Sequence, residues 1–362
     1  MARDFDNARH DFILPTEPAY RVISVPTHDL YINPDRERIV AQLGARMVEG
    51  LYGDPSIDLT RKRTNQIDLN NPSTRWMYEN VNGFADWHVL MPTAAALEPI
   101  YNPMIEELAN GKSFTSEMRA WMSNIDDAIG IRSRAVVMKW LITREAINGR
   151  ERNQRWASLA CGVATPIIEV LSRLKEDGVA LPKVTLADYQ GEALSLAQAT
   201  AEQAGVGDAI ETRRMNILRQ GGIAFRHDEG GLHGNITSAM GKLPAEWFDV
   251  VDAVGILEYL EREDRQFNYG EVIHTKRAMA GAIQFLRNSF DLVRPGGIMV
   301  VGNMRETHPQ LGFTLNVIQW PHIQPRSIEQ MHQMFAEAGL GDDIETYCPD
   351  DNVYAIYSIR KH

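Results

Sequence analysis

Two cysteines in 362 residues, Cys161 and Cys348, are too few for a disulfide scaffold or an all-cysteine zinc site. Reduced thiols are the simpler reading. Ten histidines are present, but no HExxH or comparable ligand spacing accompanies them, so no metal is expected. No apolar run reaches the roughly eighteen residues of a membrane span, and the start, MARDFDNARHDF, lacks the apolar core of a signal peptide. The expected address is the cytoplasm. Positive charge is also short: a net charge of -11 gives no global attraction to phosphate backbones or anionic lipid. Nucleic acid is therefore a disfavoured partner and a small molecule the expected one. Oligomeric state is not fixed by any of this, and a homodimer is compatible with it.

What remains is ordinary globular composition, 44% hydrophobic and 23% charged, in a chain longer than one core usually needs. Two domains are expected, 1–150 and 151–362. In the first, Pro34 opens a helical pattern through Ile39, Val40, Leu43, Met47 and Leu51. Residues 53–82, rich in Asn, Asp and Pro, read as loops and turns. Helical patterns resume at 93–109, 116–122 and 133–148, so this part is mainly helical. The polar string from Asn148 to Gln154 marks the boundary.

Beyond it, strand and helix patterns alternate: WASLA, a helix from Pro166 to Glu176, KVTLADY, a helix from Gly191 to Ala204, AIETRRMNIL, FDVVDAVGILEYL, a helix over 275–292, then GIMVVGNM. That rhythm predicts a parallel sheet with helices on both faces. The ending, IETYCPDD then NVYAIYSIRK, reads instead as an antiparallel pair.

The first strand-to-helix turn is Ala160-Cys161-Gly162-Val163-Ala164. Its small residues let a ligand approach the backbone, and the helix starting near Thr165-Pro166 points its amides there. A tight turn serving only helix–sheet packing remains the alternative. Asp188 ends the second strand, 26 residues after Gly162, where an acid can accept from both ribose hydroxyls of a nucleoside. A helix cap is its plain alternative. A dinucleotide fold would share this geometry, but its glycine triplet is missing: ACGVAT has only Gly162.

The series SLACGVA, LADYQ, MNIL, FDVVDAVGILEYL and LVRPGGIMVVGNM resembles the ordered motifs of class I S-adenosylmethionine-dependent methyltransferases over residues 155–360. More narrowly, SLACG, GILEYL, VGNM and PRSIEQM are similar to bacterial enzymes that make methyl esters of 3-hydroxy fatty acids. The resemblance implies a Rossmann-like, mostly parallel sheet closed by an antiparallel hairpin, and S-adenosyl-L-methionine as cofactor. It implies that Ala160, Cys161 and Gly162 line the methionine part, that Asp188 holds the ribose, and that Tyr189, Gln190, Asn216 and Ile217 surround the adenine. Two departures stand out: Ser158 occupies the place of the family's usual acid, and Ala160 and Ala164 replace glycines.

The fourth strand runs into Gly255-Ile256-Leu257-Glu258-Tyr259-Leu260, where strand ends should face the sulfonium. Gly255 is a cofactor candidate, and Glu258 and Tyr259 are near-site candidates, with simple helix packing as the alternative. Asn303, after the last parallel strand, is a candidate to orient an acceptor, and His308, His322, Tyr259 or Glu258 to take a proton. A carboxylate acceptor would need no base. The stretch Trp76, Tyr78, Phe84, Trp87 and His88 either walls an acceptor pocket or forms core.

Overall fold

The structure is a computed structural model that describes residues 11–13, 20–27, 31, 36, 68–91, 93–150, 152–217, 243–260, 276–320 and 323–362. The helical pattern expected from Pro34 to Leu51, and His322, lie outside them.

Nine strands form one sheet in the order β1-β2-β8-β9-β7-β6-β3-β4-β5. They are β1 (Asp11–Ile13), β2 (Arg21–Val25), β3 (Arg155–Leu159), β4 (Lys183–Asp188), β5 (Ile210–Arg214), β6 (Phe248–Val254), β7 (Val293–Met304), β8 (Ile344–Pro349) and β9 (Tyr354–Arg360). β7, β6, β3, β4 and β5 run parallel, and β9 is antiparallel to both β7 and β8. The α/β class and the closing hairpin expected from the sequence are therefore present. Pro295 and Gly296 fall inside β7, whose pairing with β6 slips between Phe248 and Val250.

Side chains alternate across the pleat, which splits the core in two. Trp156, Val250, Ile298 and Val300 face one layer, while Ala157, Val251, Met299 and Val301 face the other. The second layer is covered by α8 (Lys276–Asp291) and α9 (Ile328–Ala338). α9 starts at a capping box in which Ser327 and Gln330 satisfy each other's backbone amides, and it ends at the left-handed Gly339. The first layer is covered by α5 (Asp126–Asn148), α6 (Thr165–Glu176) and α7 (Gly191–Gln203).

Residues before 150 contribute more than helices. β2 pairs in parallel with β8, Val22 opposite Thr346, and joins the sheet from a point more than 300 residues earlier in the chain. The helices of this part are α1 (Pro72–Asn80), α2 (Phe84–His88), α3 (Glu98–Tyr101), α4 (Ser116–Asn124) and α5. α1 corrects the reading of 53–82 as loops over Pro72–Asn80, while 53–67 lie outside the described residues. Asn71 and Pro72 are helix-start residues here: the Asn71 side chain accepts from the Ser73 and Thr74 amides, and Pro72 sits in the first turn. The pattern over 93–109 is also corrected, being helical only as a 3-10 turn at Ala94–Leu97 followed by α3. α5 ends where the polar string predicts, with the Gln154 amide donating to the carbonyls of Glu145 and Ala146. One apolar cluster nevertheless spans residue 150, joining Phe84, Trp121 and Ile142 to Trp156 and Val250.

Candidate functional site

The chain passes from β3 outward to β4 and β5, then returns to lay β6 against the other side of β3. The carboxyl ends of β3 and β6 thus flank a topological switch point, where open α/β sheets bind ligands.

At the end of β3 the backbone takes positive φ at Ala160 (52°), Gly162 (55°) and Ala164 (53°). Two of these are alanines, which adopt this region at a cost of about 1–2 kcal/mol each. No side chain caps α6 at Ala164, and Pro166 removes an N–H from its first turn. The turn is fastened to the next strand: the Gly162 N–H donates to Asp188 Oδ2 at 2.9 Å, and the Gln190 N–H donates to Asp188 Oδ1 at 2.8 Å. A carboxylate offers about four lone-pair positions, so Asp188 keeps acceptor capacity beyond these two bonds.

Gly162 is also approached from the N-terminal part. A Cβ there would stand 3.0 Å from Ala94 Cβ, and the Gln190 side chain accepts from the Ala94 amide at 3.4 Å. The 3-10 turn at Ala94–Leu97 therefore lies against the β3–α6 turn. Tyr189 is exposed at the rim, Asn216 is half-buried two residues past β5, and Ile217 is buried in the second apolar layer.

One neighbour was not singled out from the sequence. Asp252, in the middle of β6, lies opposite Ser158 and accepts its hydroxyl at 3.0 Å. Burial pushes its carboxyl up to about 7, with the Ser158 bond acting the other way. Burial, then Asp188 and Asp252, push the Cys161 thiol well above its ordinary value. The available signal was an aspartate inside an otherwise apolar strand, FDVVDAV. A buried carboxylate in such a run needs a partner, and Ser158 supplies it.

β6 is followed by Gly255, whose φ is +106°, against the guanidinium of Arg134 from α5. Glu258 follows, buried, with Oε1 3.5 Å from Arg134 Nη1. Burial raises its carboxyl above the ordinary value, opposed chiefly by Arg134. Arg134 is a second residue that the sequence reading passed over, because nothing in α5's own pattern distinguishes it from a surface arginine.

The other candidates are held by protein partners. The Asn303 amide donates to the carbonyls of Met304 and Gln324 and accepts from Arg326. His308 accepts the Gln310 N–H at Nδ1, so its proton sits on Nε2, 3.1 Å from Asp127 Oδ1. Both ring nitrogens are thereby used, in a cluster with Thr314 at the start of α5. The Tyr259 hydroxyl accepts from Trp320 Nε1 at 2.6 Å. Phe84, Trp87 and His88 are fully buried core, with His88 between the Tyr78 hydroxyl and the Ile318 carbonyl. Trp87 packs on Trp320, which bonds Tyr259, and Trp87 Nε1 donates to the Ala96 carbonyl at 3.0 Å, so the aromatic stretch meets the site through Tyr259 and through the 3-10 turn.

The chain matches no family model and no curated protein. Among solved structures, one described as a possible exported protein from Bordetella parapertussis is similar over 91% of this chain and 99% of its own, at 15% identity and a TM-score of 0.56. An O-methyltransferase family protein from Burkholderia thailandensis aligns over 90% of this chain and 88% of its own, at 14% identity and a TM-score of 0.42. The N-methyltransferase NodS from Bradyrhizobium japonicum WM9, in complex with S-adenosyl-l-homocysteine, aligns over 62% of this chain and 86% of its own, at 13% identity and a TM-score of 0.37. The first likeness concerns the fold alone, and the other two are too remote to carry an argument about this chain. Among the described residues, no helix is long and apolar enough to cross a membrane.

Proposed function

We propose that this chain transfers a methyl group from S-adenosylmethionine to a small-molecule acceptor. The observation that carries the reading is the coupling of Asp188 to the β3–α6 turn: an acid at the end of β4, bonded to the Gly162 amide, beside a backbone of three left-handed small residues. The motif order from SLACGVA to VVGNM supports it. The cofactor's chemistry fits what is there. A sulfonium nucleoside brings no pyrophosphate, so a turn with alanines at 160 and 164 suffices, while Asp188 retains lone pairs for ribose hydroxyls. When bound, S-adenosylmethionine supplies an electrophilic methyl group and its own leaving group. The residues of the chain bind, orient and exclude water.

Ala160, Cys161 and Gly162 would line the methionine part, and Tyr189, Gln190, Asn216 and Ile217 the adenine. For the acceptor, a carboxylate is favoured over a hydroxyl or a protonated amine, since it attacks without a base. His308 has both ring nitrogens committed, which weakens its case as one. An acyl carboxylate, including that of a hydroxy fatty acid, is the first class to test, with the segment before residue 150 as a cap over the acceptor. The test is calorimetric binding of S-adenosylmethionine and S-adenosylhomocysteine, with NAD as control, followed by an acceptor screen. Micromolar binding of the pair without NAD binding supports the reading; NAD binding alone points to an oxidoreductase.

A further inference from the structure

β5 ends the sheet: among the described residues it pairs only with β4. The Met215 N–H donates to the Asp188 carbonyl at 2.8 Å, so the Arg214 carbonyl, in the same planar peptide unit, points away from β4. Backbone direction alternates along a strand, so Ile210, Thr212 and Arg214 turn their N–H and C=O groups to the outer edge. Side chains alternate as well. Ile210 packs with the layer under α7, whereas Glu211 and Arg213 stand on the opposite face, the side on which Met215 packs. Arg213 Nε donates to Glu211 Oε1 at 2.9 Å, and the two side chains are 41% and 61% exposed. A pair this exposed contributes little and can exchange partners. Charges on a sheet edge ordinarily deter pairing with another chain, and their order decides which chain is still accepted.

The order here fits a second copy of the same edge. Antiparallel pairing about a two-fold axis at Thr212 sets Thr212 opposite its own copy, Ile210 opposite Arg214, and Glu211 opposite Arg213. The outward-facing residues then meet at hydrogen-bonded positions, and Glu211 and Arg213 fall at the closer non-hydrogen-bonded ones, twice by symmetry. Moving the axis one residue either way brings Glu211 against Glu211, or Arg213 against Arg213, which is destabilising. Both α7 helices lie on the same face of the joined sheet, and Leu196, 39% exposed on that helix, offers apolar surface beside the seam. We infer that β5 is the dimerisation edge of this chain, joining two nine-stranded sheets about Thr212 with Glu211 and Arg213 paired across the axis. The inference stands apart from the cofactor reading. Five residues a side make a short seam, so the affinity is on the order of micromolar.

The test is sedimentation velocity of the full chain over about 1–100 μM, where the wild type should show a monomer–dimer equilibrium. Glu211→Arg sets arginine against arginine on both sides of the axis and should weaken the dimer by about tenfold or more. Adding Arg213→Glu reverses the order of the two charges, and the double variant should recover the wild-type affinity to within about threefold. Both side chains are exposed, so each variant keeps its fold, checked by circular dichroism and the thermal midpoint. A wild type that stays monomeric at the highest concentration, or a dimer indifferent to Glu211→Arg, would overturn the inference. So would a double variant that remains as weak as the single one, because the reversed charges should pair equally well.

Discussion

Ser158 on β3 and Asp252 on β6 stand opposite each other in the sheet, and the serine hydroxyl donates to the aspartate across 3.0 Å. Burial holds Asp252 up to about 7, against an ordinary 3.8. Between those values the folded chain binds a proton that the unfolded chain does not, so stability is greatest at the acid end and falls as pH rises. The contribution lost is roughly 4 kcal/mol at full effect. Urea unfolding of the ligand-free wild type and Asp252→Asn at pH 4 and pH 7.5 should show the variant gaining on the wild type at the higher pH. A constant difference would mean that Asp252 is ionised throughout.

His88 runs the other way. Burial lowers its ring to about 4, with the bond to the Ile318 carbonyl opposing. Its contribution is complete above about 6.5 and is lost as pH falls towards 4, a loss of roughly 3 kcal/mol. His88→Gln keeps an N–H for Ile318 and removes the titration. It should be less stable than the wild type at pH 7.5, and the gap should narrow by pH 4.

The two left-handed alanines give a prediction that divides by burial. Ala160→Gly relieves an αL strain of about 1–2 kcal/mol against a glycine entropy cost of roughly 0.5–1, for a net gain of up to about 1.5 kcal/mol. Ala164 is 3% exposed, and its methyl contributes about 0.8 kcal/mol of burial, so Ala164→Gly should be close to neutral. Gly162→Val meets both a φ of 55° and the Ala94 side chain. It should lower the thermal midpoint and dislodge the 3-10 turn, read as faster amide exchange at residues 94–97.

The 160–164 turn and its bond to Asp188 are legible along the chain because both belong to one strand–helix–strand unit, and the last hairpin is legible as two short β-rich runs split by PDDN. The missed features are long-range. β2 is five residues whose partner, β8, lies more than 300 positions away, and nothing in RVISV specifies that pairing. Arg134 meets Glu258 across 124 positions, and only the fold makes that arginine buried. Pro72 was misread because proline and asparagine mark turns and helix starts alike, and only the N-cap bonds of Asn71 separate the two.

The most direct test of the central claim is calorimetric titration of S-adenosylhomocysteine into the wild type and Asp188→Ala. The variant leaves the Gly162 and Gln190 amides without their acceptor and removes the carboxylate proposed to hold the ribose. The account predicts micromolar binding by the wild type and at least about a tenfold loss in the variant, with circular dichroism unchanged. Wild-type binding that survives Asp188→Ala undiminished, or a folded wild type that binds no S-adenosyl ligand, would contradict it.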